Sequence, residues 1–251
     1  MRILFIKIIR YIFSMLGAEI IKARKTFNQT YMDNIKNPII FDVGANEGQS
    51  IERFKSIFPK SIIHSFEPIK ECYEKIIKIY DKKNIFINNY ALGDKDCERF
   101  FYINKNTYTS SFFKINNKYK ELVNSDGINM SVKKKISTID GYLALHKIKK
   151  IDILKIDTQG YELNILKGAK KSLKNKIKFI ELELILADYY KKKVKFYEID
   201  KLLSENNFIL YDMGNISYDK NKQLVWFDLL YLKKNSWIIE LLNYFLIFNN
   251  M

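Results

Sequence analysis

Asp42, Gly44, Asn46, Gly48 and, nineteen residues after Gly48, Glu67 are the residues of this 251-residue chain whose types and spacing suit chemistry most directly. They fall in "FDVGANEGQS" (41–50) and "SFEP" (65–68). Two of only nine glycines flank an asparagine in one turn, between an apolar run and a helical pattern. Glycine there lets the backbone pass close to a ligand and lets the next helix start tightly against the strand. The free N–H groups of that helix start suit an anion. A dinucleotide would place its pyrophosphate on them, but Asp42 would repel it, and Asn46 stands where the G-x-G-x-x-G fingerprint needs its second glycine. S-adenosylmethionine fits this pattern better. It carries no phosphate, it offers an ammonium and a sulfonium for an acid to face, and it has one carboxylate for the helix start. Glu67 lies at the spacing of an acid that takes ribose hydroxyls from the end of the following strand. The plainer alternative is a strand-to-helix turn beside a surface acid.

These residues need a sheet to hold them. Buried strands are predicted at 38–44, 61–68, 84–92, 151–157 and 178–186, separated by amphipathic helices that include 161–173 and 195–206. A last pair, "NFILYDM" and "QLVWFDLLYLK", reads as two strands joined by a turn carrying Gly214 and Asn215. The pair has too little chain between its members for a crossover helix and is therefore antiparallel, whereas the alternation before it implies a mostly parallel sheet covered on both faces. Ligands of such sheets bind at the carboxyl ends of the strands. Residues 97–140 break the rhythm with short strands and a polar loop, an insertion above the sheet. The aromatics Phe100, Phe101, Tyr102, Tyr108, Phe112 and Phe113 there suit either an acceptor wall or the core of a small extra sheet, with Ser110 and Ser111 among them.

Composition narrows the class. With 47% hydrophobic residues the chain can bury the core of one α/β domain, placed at 37–235. Cys72 and Cys97 form no CxxC pair, and with His64 and His146 the only histidines, neither a disulfide framework nor a histidine metal cage is expected. The formal charge of +15 suits a phosphate-bearing partner, but lysine is abundant everywhere, so no nucleic-acid partner is favoured. Residues 1–36 are expected to be an apolar, basic helical segment and 236–251 an apolar C-terminal helix. The charges at 7, 10 and 19 interrupt the first before it reaches a spanning length, which leaves packing, including a homodimer, or peripheral membrane contact through residues 1–25. The expected location is the cytoplasm, with attachment at the inner face of the membrane as the alternative.

Several segments together resemble the FkbM-type family of S-adenosylmethionine-dependent methyltransferases, class I and Rossmann-like. They are "FDVGANEGQS", "SFEP", "NNYALGDKD" (88–96), "SS" (110–111), "STIDGYL" (137–143) and "DILKIDTQGYELNILKGAKKSL" (152–173), and the likeness runs loosely over residues 38 to 232. The resemblance implies a seven-stranded sheet in the order 3-2-1-4-5-7-6 with strand seven antiparallel. It implies O-methylation of a hydroxyl on a sugar, glycan or natural-product scaffold, as in surface polysaccharide biosynthesis. It places Asp42, Gly44, Asn46 and Gly48 around the methionine part of S-adenosylmethionine, Glu67 on the ribose, and Ala91 and Leu92 against the adenine.

On this basis Asp157, at the end of the fourth strand, is the expected general base for the acceptor hydroxyl. The family often has an acid two residues later, where this chain has Gln159. Two other roles for Asp157 stay open: capping the helix from 161 onward, or joining Glu181 or Glu183 to hold a divalent cation such as Mg²⁺. Competing functions are an RNA methyltransferase and a non-catalytic, membrane-associated protein on the same fold.

Overall fold

The computed structural model describes residues 35–80, 83–119, 128–192 and 194–234. The expectations for both terminal segments, and for their membrane or subunit contacts, lie almost entirely outside the described residues. Among the described residues no helix is long and apolar enough to cross a membrane.

A seven-stranded sheet runs in the order β3-β2-β1-β7-β8-β10-β9, an α/β Rossmann-like arrangement. β1 (Ile39–Val43) is central, parallel to β2 (Ile62–Phe66) on one side and to β7 (Ile151–Ile156) on the other. β3 (Ile85–Asn88) extends the sheet beyond β2, and β8 (Ile177–Ile185) lies parallel to β7. β10 (Leu224–Lys233) is antiparallel both to β8 and to the edge strand β9 (Phe208–Tyr218). All six residues of β7 are buried, as a strand covered on both faces requires.

Helices cover the sheet through narrow apolar stripes. α1 (Gln49–Ile57) buries Ile51 and Phe54, and α2 (Lys70–Tyr80) buries Cys72 and Ile76. α3 (Ile139–Leu145) begins at Thr138, whose hydroxyl accepts the Gly141 N–H. α6 (Phe196–Glu205) buries Ile199 and Leu203.

Three expectations need correction. The strand predicted over 84–92 ends at Asn88, and Ala91–Leu92 forms β4, which pairs with β6 (Ile128–Ser137) in a second, three-stranded sheet completed by β5 (Cys97–Asn104). The single helix predicted over 161–173 is two, α4 (Glu162–Lys167) and α5 (Ser172–Asn175). Between them Gly168 crosses Gly93 so closely that a Cβ would stand 1.8 Å from the Gly93 carbonyl oxygen, and the Asp140 carboxylate takes the N–H groups of Lys171 and Ser172 at the start of α5. Finally, Gly214 and Asn215 are not the hairpin turn. β9 continues through them to Tyr218, and the turn falls at Asp219, whose carboxylate accepts the N–H groups of Asn221 and Gln223. Asn215 has φ 48° beside irregular β9–β10 register, a bulge that re-aims its side chain.

Candidate active site

A cavity of about 650 Å³ opens at the carboxyl ends of β1, β2, β7 and β8, within the ~300–1,000 Å³ span of small-molecule sites. Its floor follows from strand register. Asp42 of β1 faces Lys155 of β7, which faces Glu181 of β8. Two residues further along β7 and β8, and so on the same side of each, come Asp157 and Glu183, and Glu183 faces Asp228 of β10.

Asp42 does not line the cavity. Its carboxylate is fully buried, with Lys155 Nζ 3.5 Å away. Burial pushes its pKa up, and the Lys155 charge opposes this. The same ammonium stands 3.5 Å from Asp157 and 3.5 Å from the Gly44 carbonyl. Burial disfavours the Lys155 charge, but Asp157, Asp42 and Glu181 outweigh it and hold the ammonium above the ordinary lysine range. Asp42 therefore acts on the site through Lys155, a residue that sequence reading passed over.

Gly48 stands behind the turn. Absent from the cavity wall, it packs on α2 with φ 94°, where a Cβ would lie 2.8 Å from the Tyr80 ring. Gly44 does line the cavity, and its φ is 85°. A Cβ there would stand 1.9 Å from the Asp157 carbonyl oxygen, so the need for glycine comes from the crossing of two strand ends rather than from a ligand.

Glu67, Asn46, Ala91 and Leu92 all line the cavity. Glu67 is buried and accepts the N–H of Asn46 on one oxygen (2.8 Å) and that of Ile69 on the other (2.7 Å). Burial raises its pKa to about 7, against those two hydrogen bonds. Each oxygen keeps a second lone pair for a hydroxyl in the cavity. The Asn46 side-chain oxygen accepts from Thr107 (3.1 Å) and Cys72 (3.3 Å), which ties the turn to the inserted segment.

Asp157 borders the cavity and is partly exposed. It does not cap the following helix. The turn amides of Thr158 and Gly160 donate to Glu162 instead, at 3.1 and 2.9 Å. Gln159, at φ 57°, donates its amide to Asp157 (3.1 Å) and to Glu183 (2.9 Å), while the Tyr190 hydroxyl sits 3.0 Å from its carbonyl oxygen. Burial, then Asp157 and Asp228, pushes Glu183 up to about 9. Asp228 is raised to about 6, chiefly by burial, although Asn215 donates to it at 2.5 Å.

The arrangement does not fit the metal set considered from sequence. Glu181 pairs with Arg53 of α1 at 2.8 Å, Glu183 takes the Gln159 amide, and among the described residues no group of three or more His, Cys, Asp or Glu is placed to hold a metal ion.

The inserted aromatics divide. Phe101 and Phe112 stack edge to face and Phe113 packs on Tyr161, whereas Tyr108 is exposed on the cavity rim and hydrogen-bonds Gln49. Ser110 lines the cavity, and the Ser111 hydroxyl donates to the Gln159 carbonyl at 2.8 Å. Missed in sequence were Lys155, Arg53, Asp228 and Asn215. Polar residues inside otherwise apolar strands, as in "DILKID" and "LVWFDLL", were the available signal.

Fold and cavity together define a Rossmann-like α/β domain with a buried acid, Glu67, just past the end of its second strand. Residues 42–210 match the family model described as "Methyltransferase FkbM domain", and the chain belongs to that family. A relative, "Methyltransferase sdnD" of Sordaria araneosa, is 26% identical over 161 residues, covering 53% of this chain and 60% of its own length. Among solved structures, methyltransferase FkbM of Methylobacillus flagellatus KT aligns at TM-score 0.47 and 12% identity over 81% of this chain and 46% of its own. Aeropyrum pernix fibrillarin, with natively bound S-adenosyl-L-methionine, aligns at 0.41 and 11% over 77% of this chain and 66% of its own. The chain thus spans less than two thirds of the relative and of the first of these two structures.

Proposed function

We propose that this protein transfers a methyl group from S-adenosylmethionine to a hydroxyl of a sugar or glycan, with Asp157 as general base. The observation that carries the cofactor half is the position of Glu67, buried at the end of β2 with both oxygens anchored by backbone and facing a cavity that continues to Ala91 and Leu92. The residues fit the group. Glu67 would take the ribose diol, Ala91 and Leu92 the adenine, and Gln49 and Ser50 at the start of α1 the methionine carboxylate, where helix N–H groups lack intrahelical partners.

The sulfonium of S-adenosylmethionine supplies an electrophilic methyl group. Asp157 contributes a carboxylate whose two oxygens are already held by Lys155 and Gln159, a fixed position from which to accept the hydroxyl proton. The pairing of Lys155 with both Asp42 and Asp157 keeps a charge in a site that would otherwise hold two facing carboxylates. Calorimetry with S-adenosylmethionine tests the cofactor, and mass spectrometry of glycans from cells with and without the protein tests the acceptor. Loss of a methyl mass supports the reading; unchanged glycans and no cofactor binding overturn it.

A further inference from the structure

The cavity has two chemically different ends, and the proposed cofactor residues occupy only one. The other is built at the junction of β8, β10 and the β9 bulge. Glu183 and Asp228 face each other in register there, Asn215 donates to Asp228, and Trp226, two residues before Asp228 on β10 and packed on the Ile115, Ile185 and Tyr190 cluster, lines the same cavity.

Charge decides what this end can accept. The cavity is lined by five acids (Glu67, Asp157, Glu181, Glu183 and Asp228) and two bases (Arg53 and Lys155). Both bases are already committed, Arg53 to Glu181 at 2.8 Å and Lys155 between Asp42 and Asp157. Despite the +15 of the whole chain, a carboxylate or phosphate entering beside Asp228 would meet a second anion, and among the described residues both bases that line the cavity are already paired with other acids. Hydroxyl groups suit the same atoms, because carboxyl and amide groups both donate to and accept from them, and a flat indole packs on the apolar face of a ring.

We propose that Glu183, Asp228, Asn215 and Trp226 form an acceptor subsite that takes a neutral polyhydroxylated ring and rejects one bearing a carboxylate or phosphate. This rests on the methyl-transfer reading and narrows it: Asp228 sets specificity against acidic sugars, and Trp226 supplies the platform.

Saturation-transfer NMR titrations of the full-length protein, with and without S-adenosylhomocysteine, test this with three probes, the methyl glycosides of glucose, glucuronic acid and glucosamine. The expected result is that the neutral glycoside binds at least ~10-fold more tightly than the uronide, the size expected when unbalanced like charges meet. Trp226→Ala should abolish the neutral signal, and Asp228→Asn, which preserves shape and the Asn215 neighbour, should bring the uronide within ~3-fold of the neutral glycoside. Thermal melting of each variant checks that it is folded. Equal or tighter uronide binding by the wild type, preference for the amino sugar, no glycoside binding at all, or an unaffected folded Trp226→Ala variant would each overturn the subsite. Calorimetry with S-adenosylhomocysteine on the same samples separates the two ideas: its failure counts against methyl transfer, while the cofactor-free titration still judges the subsite.

Discussion

Lys155 faces Asp42 across the β1–β7 pairing, with its ammonium 3.5 Å from a carboxylate that has no exposed surface. Neither residue is explained by packing, since Asp42 is the one polar position of β1 and Lys155 shares β7 with a single other polar residue, Asp152. Removing the cation leaves a buried, unpaired acid. Lys155→Met is expected to destabilise the fold by about 3–5 kcal/mol, and Asp42→Asn in the same chain to recover part of the loss. Urea unfolding of the two single variants and the double variant measures the coupling.

Asp157→Asn retains the side-chain shape and the Gln159 neighbour while removing the proton acceptor. Cofactor affinity should stay within ~3-fold, with turnover falling ~10²–10⁴-fold, the usual contribution of a general base. Calorimetry and single-turnover kinetics on the same preparation check both halves.

Glu67→Ala is expected to weaken S-adenosylhomocysteine binding by roughly 10- to 100-fold, because charged hydrogen bonds of ~1.5–3 kcal/mol to the ribose are lost. The same change strips the Asn46 and Ile69 N–H groups of their acceptor, so a lower melting temperature should accompany it. Unchanged affinity in a folded variant would remove Glu67 from the cofactor site.

Besides Asp42, four acids carry raised pKa values, Glu183 at about 9, Glu67 at about 7 and Asp228 at about 6 on the cavity wall, and Glu162 at about 7 behind it. The folded chain holds these protons over a range in which the unfolded chain has released them. Their contribution to stability is therefore complete below the ordinary carboxylate range and is lost as pH rises from about 4 toward 9. Above pH 7 the largest remaining change among the four is that of Glu183, so Glu183→Gln should flatten the fall in melting temperature between pH 7 and 9. Melting curves across this range in wild type and variant provide the check.

Gly44→Ala should prevent stable folding or lower the melting temperature by more than 10 °C, since a 1.9 Å overlap with backbone cannot be relieved by side-chain rotation. Gly48→Ala, opposed by a ring edge and by its φ of 94°, should be the milder of the two.

The one-dimensional pattern was sufficient for much of this protein. Apolar runs such as "PIIFDVG" and "DILKID" give buried strands because only apolar side chains can cover both faces of a parallel sheet. Glu67 could be assigned to the cavity from its distance after the turn, and Ala91 and Leu92 from the resemblance, because local spacing fixes which residues emerge at a strand's end. What the pattern could not decide was which side chains meet across strands that are distant in the chain. Asp42 and Lys155 are 113 residues apart, and Glu183 and Asp228 are 45 apart, so their pairing exists only once β1, β7, β8 and β10 are in register. The same holds for the two glycines of the turn. Positive φ was foreseeable from residue type, but Asp157 behind Gly44 and Tyr80 behind Gly48 are tertiary neighbours, and close packing between separate segments, not any local preference, determines what each glycine is for.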